Sequence, residues 1–146
     1  MLTYIDTSVL VRAYLPDEVG HLEAVALLAD VDRVHVSMGW TRIEATSALA
    51  RAARARGGDL AGLLGALDAD LAAGGPVMLL RADPEQLERA TLDIVIEHGL
   101  RSLDALHLAG AQFAAVPLLE PGEQLGFASR GQEQASAAAA MGFAVI

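Results

Sequence analysis

Residues 2–10, "LTYIDTSVL", decide how the rest of the chain is read. A β-branched and aromatic run, Thr3-Tyr4-Ile5, ends on a carboxylate and two hydroxyls, Asp6-Thr7-Ser8, and then turns aliphatic at Val9-Leu10. Thr, Tyr and Ile favour a strand, whereas Asp and Ser are preferred helix N-caps. The stretch therefore predicts a strand over about 2–6 that passes directly into a helix. Such a junction either caps a helix or presents an acid at the carboxyl edge of a sheet, where open α/β folds keep their ligand sites.

Outward from this junction, strand-like and helix-like stretches alternate along the whole chain. The first helix, through Val9 to Tyr14, is expected to stop near Pro16, since proline lacks a backbone donor. A second helix is expected at about 20–30, then a short strand at Val34–Ser37. Thr41 starts a long arginine-bearing helix ending at Gly57-Gly58, and another helix runs to Gly74-Gly75. The strand Val77–Leu80 leads to a helix opened by Asp83-Pro84, an N-cap followed by N1 proline, and closed by Gly99. Ser102 opens a helix that is apolar almost all round: Leu103, Ala105, Leu106, Leu108, Ala109, Ala111, Phe113, Ala114. Residues 117–126 read as a loop around Pro121-Gly122. A strand at 125–129, an alanine-rich helix near 132–141 and a strand at 142–146 complete the chain. This order predicts an α/β fold, a mainly parallel sheet of about five strands with helices on both faces. No linker or repeat interrupts it, so residues 1–146 are expected to form one domain.

The composition limits the chemistry. Hydrophobic residues make up 53% of the chain and aromatics only 4%, so the core must be aliphatic and alanine-rich. With no cysteine, there are no disulfides, thiolate nucleophiles or Cys-based zinc sites. No apolar run approaches the roughly 20 residues needed to cross a bilayer, and the N-terminus lacks the basic region of a secretion signal. A cytoplasmic protein without membrane association is expected. All ten basic residues are arginine, and the net charge is −9. That balance argues against a protein that coats nucleic acid by long-range attraction. It is compatible with acids gathered around a divalent cation.

Three acids stand where such a site would form, and each also has a plain structural explanation. Asp6, or Ser8 beside it, serves as an N-cap. Thr41-Arg42-Ile43-Glu44 fits a capping box, with the glutamate reaching back to the N-cap amide. Ala48, Ala52 and Ala55 on or near the same side would instead let Glu44 approach the sheet. Asp104 lies in the first turn of the apolar helix, where the dipole favours it and Arg101 offers an ion pair. If the sheet brings the three together, their repulsion demands a cation, and carboxylate-only ligation points to Mg²⁺ or Mn²⁺. His21, His35, His98 and His107 show no metal-binding spacing, and His107 is expected to pack in the core. No Walker A loop or GxGxxG occurs. A receiver-type phosphoryl-transfer protein needs a lysine, and a haloacid-dehalogenase type needs an aspartate where Ser8 stands.

Together "YIDTSVLV", "SMGWTRIEATSALAR" and "LRSLDALHLAGA" resemble the PIN-domain family, and within it the VapC-type toxins. The resemblance extends over essentially the whole chain, including "LGFASRGQEQASAAAAMGFAVI". It implies a three-layer α/β/α, PIN-like fold in which Asp6, Glu44 and Asp104 are the catalytic residues and hold Mg²⁺ or Mn²⁺. It further implies a metal-dependent endoribonuclease, the toxin of a VapBC-type toxin–antitoxin pair, acting on structured RNA such as tRNA or rRNA. A homodimer inhibited by a small VapB-type antitoxin is expected with it. Thr7, Ser8 and Ser129 are expected to support the metal shell, and Arg42, Arg51 and Arg101 to contact RNA or antitoxin. One departure stands out: Phe127-Ala128-Ser129-Arg130-Gly131 carries glycine where the family usually has a further aspartate. It motivates an alternative, a PIN-fold protein with weak or no catalysis that acts by binding antitoxin or RNA.

Overall fold

The computed structural model describes residues 1–146. Five parallel strands lie in the order β3-β2-β1-β4-β5: β1 Leu2–Ile5, β2 Val34–Met38, β3 Val77–Leu80, β4 Gly126–Ala128 and β5 Ala144–Val145. Seven α-helices connect them: α1 Thr7–Arg12, α2 His21–Leu28, α3 Trp40–Arg56, α4 Leu60–Asp70, α5 Pro84–His98, α6 Ser102–Gly110 and α7 Gln132–Ala140. The expected fold class is the one found. Strands β1, β4 and β5 are shorter than expected, β3 has the expected bounds and β2 extends one residue further, to Met38; α6 runs on through a π-helical turn at Ala111–Ala115 and a 3₁₀ turn at Val116–Leu118, into the region read as loop.

Strand side chains point alternately to opposite faces, and that alternation divides the core in two. On one face, Tyr4, Val36, Met38 and Phe127 pack against α5, α6 and α7 through Leu87, Ile94, Leu108 and Ala138. On the other, Ile5, Val77 and Ala128 meet Val9, Leu10, Ala24, Ala45, Leu49 and Leu67 from α1 to α4. Three of the six aromatics form one stack. Tyr4 stacks on Phe127 with ring centres 5.4 Å apart, and Phe127 on Phe143 at 6.0 Å, which ties β1 to β4 and to the residues leading into β5. Truncating a buried Phe of this kind typically costs about 3–5 kcal/mol.

The strand order places the site. From β1 the chain moves one way through β2 to β3, then returns to the other side of β1 with β4. The carboxyl ends of β1 and β4 therefore flank the point where the order reverses, the usual ligand crevice of open α/β sheets. Asp6 follows β1 at that crevice and Ser129-Arg130-Gly131 follow β4. Helix α6 rides close above it. A Cβ on Gly110 would stand 2.6 Å from Met38 Cγ and 3.2 Å from Tyr4 Oη, so only glycine lets the helix approach this closely.

Candidate active site

Asp6 caps α1, accepting from the Ser8 backbone N–H at 3.0 Å and from the Ser8 hydroxyl, and it is 5% exposed. The cap and the site are thus one arrangement, because the junction that starts the helix also aims the carboxylate at the crevice. Glu44 overturns its capping-box reading. Helix α3 starts at Trp40 after Gly39, with no side-chain cap. Thr41 lies inside the helix, fully buried, with its hydroxyl 2.7 Å from that of Ser37. Glu44 is free to reach across to α1 and α6, where it accepts from the Thr7 hydroxyl at 2.8 Å. Asp104 makes no ion pair with Arg101, so that explanation also falls; it lines the same groove as Asp6 and Glu44. Three acids from distant stretches of sequence thus meet at one place.

His107 connects two of them. Its Nε2 is 2.8 Å from Glu44 Oε2, 3.4 Å from Asp6 Oδ1 and 3.2 Å from Thr7 Oγ1, and its Nδ1 is 2.9 Å from the Tyr4 hydroxyl. A carboxylate can only accept, so Nε2 carries the proton toward Glu44. In the neutral ring the Tyr4 hydroxyl donates to Nδ1. Burial, then the negative charge of Asp6, holds the Tyr4 hydroxyl well above its ordinary pKa, which keeps it a donor. His107 is buried as expected, at 1% exposed, and it also bonds the acids, which the sequence expectation did not include. A signal was present in the sequence, because positions three apart on a helix share a face and Asp104 lies three before it.

Like charge is visible in the carboxyls themselves. Burial, followed by the charge of Asp6, raises the Asp104 pKa, with Glu44 adding to the rise while His107 and Arg101 oppose it. Burial pushes Glu44 the same way. The His107 hydrogen bond and charge, with the Thr7 hydroxyl, outweigh it and hold Glu44 below its usual value. As the side chains are placed, no three His, Asp or Glu groups form a set able to hold an ion, and the His107 Nε2–H lies between Asp6 and Glu44. Three carboxylates lining one groove are nonetheless the oxygen chemistry that a hard divalent cation takes, once the side chains turn toward a common point.

The groove, about 530 Å³, runs from the acids between α1 and α3. Ala48, Ala52 and Ala55, the small residues expected to let Glu44 approach the sheet, line it together with Arg12, Arg51 and Arg56. Of the expected supporting residues, Thr7 holds Glu44 and Ser8 holds Asp6. Ser129 does not reach the acids. It donates to Gln134 Oε1, and the Gln134 amide in turn donates to the Asp104 backbone carbonyl at 3.1 Å. Gln134, 1% exposed, was not singled out in the sequence and steadies the first turn of α6 from below. Among the expected contact residues, only Arg51 lines the groove. Arg42 is paired with Asp68 at 3.1 Å, and Arg101 is exposed outside it. Glu133, near the departure at Gly131, is exposed on α7 and borders a different hollow. No helix is long and apolar enough to cross a membrane.

Comparison with known proteins agrees with this fold. Among solved structures, the crystal structure of PAE2754 from Pyrobaculum aerophilum is similar, with a TM-score of 0.58 at 18% identity over 94% of this chain and 87% of that one. At that identity the likeness speaks for the fold. No curated protein matches the sequence significantly. The family model of the PIN domain matches residues 3–122, a span that holds Asp6, Glu44 and Asp104. PIN domains are generally nucleases, and their nucleases generally use divalent metals. With most of its length matched and its strands in parallel order around these acids, the chain belongs to the PIN domain family.

Proposed function

We propose that this chain is a Mg²⁺- or Mn²⁺-dependent endoribonuclease, the toxin of a VapBC-type pair, which cleaves structured RNA in the cytoplasm. The observation that carries this reading is the meeting of Asp6, Glu44 and Asp104 in one arginine-lined groove at the strand-order switch. Those three carboxylates would hold the cation. A divalent ion there supplies charge for the phosphate and lowers the pKa of a bound water. The protein's own part is positioning. Ser8 fixes Asp6, Thr7 and His107 fix Glu44, and Gln134 fixes the backbone at Asp104. Arg51, unpaired with any acid, faces the groove where a phosphate strand would lie.

The partners in this reading are RNA, a second copy of the chain and a small VapB-type antitoxin. Exposed apolar side chains support association: Leu92 and Ile96, four apart on α5, and Val19, Leu22 and Ile43 beside the groove-forming helices remain uncovered. The test is incubation of the purified chain with total RNA in Mn²⁺ or EDTA, followed by mapping of new ends. Discrete new ends in Mn²⁺ alone are expected. Intact RNA under both conditions would overturn the ribonuclease assignment.

A further inference from the structure

Two cations beside the site have no acid partner. Arg12, on α1, lines the groove with Asp6 and Asp104, and Arg130 follows β4 with its backbone N–H donating to the Ser8 hydroxyl at 3.2 Å. That hydroxyl is the one bonded to Asp6. The two guanidiniums converge on Gly20. A Cβ placed there would stand 3.1 Å from one Arg130 terminal nitrogen and 3.2 Å from one Arg12 terminal nitrogen. Gly20 has φ +87°, a left-handed turn open to glycine, and the space a side chain would fill is bordered by both positive groups. The loop is fixed in place as well, since His21 Nδ1 lies 2.8 Å from the Arg12 carbonyl oxygen.

Neither member of this pair makes a contact ion pair with an acid. Arg33, Arg42, Arg56 and Arg89 are each matched to an acid, and Glu18, the one acid deeper in the groove, is taken by Arg56. Two guanidiniums held around one point turn their N–H donors toward a space that a shared anion can occupy. In a chain of net charge −9, two unpaired arginines at one point are also a local exception to the overall field. Guanidinium forks suit the oxygens of phosphate.

We propose that Arg12 and Arg130 clamp a backbone phosphate of the RNA strand next to the one at the acids. This rests on the nuclease reading. A polyanion fits better than a lone carboxylate, because a strand brings one phosphate to the acid-held cation and a neighbouring one to the arginines at once. The clamp gives an acidic protein a local grip on RNA. It also lies next to Gly131, so arginine charge flanks the position where the family's further acid is missing.

The test uses a short fluorescein-labelled RNA hairpin with a single-stranded loop, with the intact chain in an Asp104→Asn background to prevent cutting. Affinity is measured against salt. Arg12→Gln and Arg130→Gln should each weaken binding about tenfold and flatten the log–log salt slope by about 0.7, the share of one phosphate on a single strand. The double variant should lose little more slope than either alone, because both grip one phosphate. Lysine at either position should restore the slope, and Arg54→Gln, outside the groove, should change nothing. Wild-type affinity and slope in the double variant, from a chain that with Asp104 restored still cuts RNA in Mn²⁺, would overturn the clamp and leave the nuclease standing. Twice the slope change in the double variant would overturn the shared phosphate. Failure of the wild-type chain to bind or cut RNA at all would overturn both readings. Unchanged RNA binding together with lost binding of an acidic peptide would assign the pair to a protein partner instead.

Discussion

His107→Leu tests whether the buried ring orients the site or only fills space. Leucine is apolar and close in size, so a purely packing role would be replaced at under about 1.5 kcal/mol. The hydrogen bonds imply more. Tyr4 is 0% exposed and bonds His107 Nδ1; the nearby Ser37 hydroxyl, which donates to the Ile5 carbonyl and meets Thr41, is a weaker replacement that sets the lower end of the cost. Leaving a buried hydroxyl unpaired costs about 1–3 kcal/mol. Glu44 keeps Thr7 but loses a charge-assisted bond, worth about 1 kcal/mol more at this partly exposed carboxylate. The expected loss is about 2–4 kcal/mol, or roughly 5–15 °C in Tm for a chain of this size. The assay is a double-mutant cycle by urea denaturation in EDTA, with Tyr4→Phe as the second change. Removing the orphaned hydroxyl should return about 1 kcal/mol or more, so the double variant should be less damaged than the two single losses combined. Simple additivity of Tyr4→Phe and His107→Leu would refute the reasoning.

Three further outcomes follow from the carboxyls and from Gly131. Asp104 has its pKa raised by burial and by Asp6, so its contribution to stability is greatest below the unfolded carboxyl pKa and is lost as pH rises through the higher folded value; Asp104→Asn should therefore melt above wild type in EDTA at neutral pH, with the gap closing in acid, and a lower Tm for the variant would contradict this. Glu44 has the opposite sign, since despite burial His107 and Thr7 hold its pKa down: its contribution is present above the unfolded carboxyl pKa and fades as pH falls through the lower folded value. Wild type should be more stable than Glu44→Gln near neutral pH and lose that margin in acid; equal stability at every pH would remove the role given to the His107 bond. Gly131 has φ −79°, and a Cβ there would meet nothing closer than 3.5 Å, so Gly131→Asp is sterically accepted. It should lower the Mn²⁺ concentration needed for half-maximal RNA cleavage, and an unchanged Mn²⁺ dependence would show that the missing acid does not limit this protein.

Much of the architecture was legible because strands and helices announce themselves locally. Thr3-Tyr4-Ile5 before Asp6 gave a strand and its cap, and Asp83-Pro84 with Gly99 bounded α5 on both sides. The three acids were legible as candidates because each stands at an element start, but their meeting was not. That depends on β1 lying between β2 and β4, a pairing no local pattern encodes. The capping box at Thr41–Glu44 misled for a physical reason. Its spacing is right, but the chain turns into the helix earlier, at Gly39-Trp40, so Thr41 bonds Ser37 and leaves Glu44 for the groove. His107, Gln134 and the Arg12–Arg130 pair stayed hidden because each acts across long sequence separations. A buried histidine in an apolar helix reads as packing until its partners, Tyr4 and Glu44, are in place.

If Asp6, Glu44 and Asp104 act as one oxygen-ligand set for a divalent cation, each of them must contribute to its binding. Calorimetric titration of Mn²⁺ into wild type, Asp6→Asn, Glu44→Gln and Asp104→Asn tests it directly. Saturable binding by wild type, weakened by about tenfold or more in each variant, is the expected result. Mn²⁺ affinity unchanged in all three variants, or no binding by wild type, would contradict it.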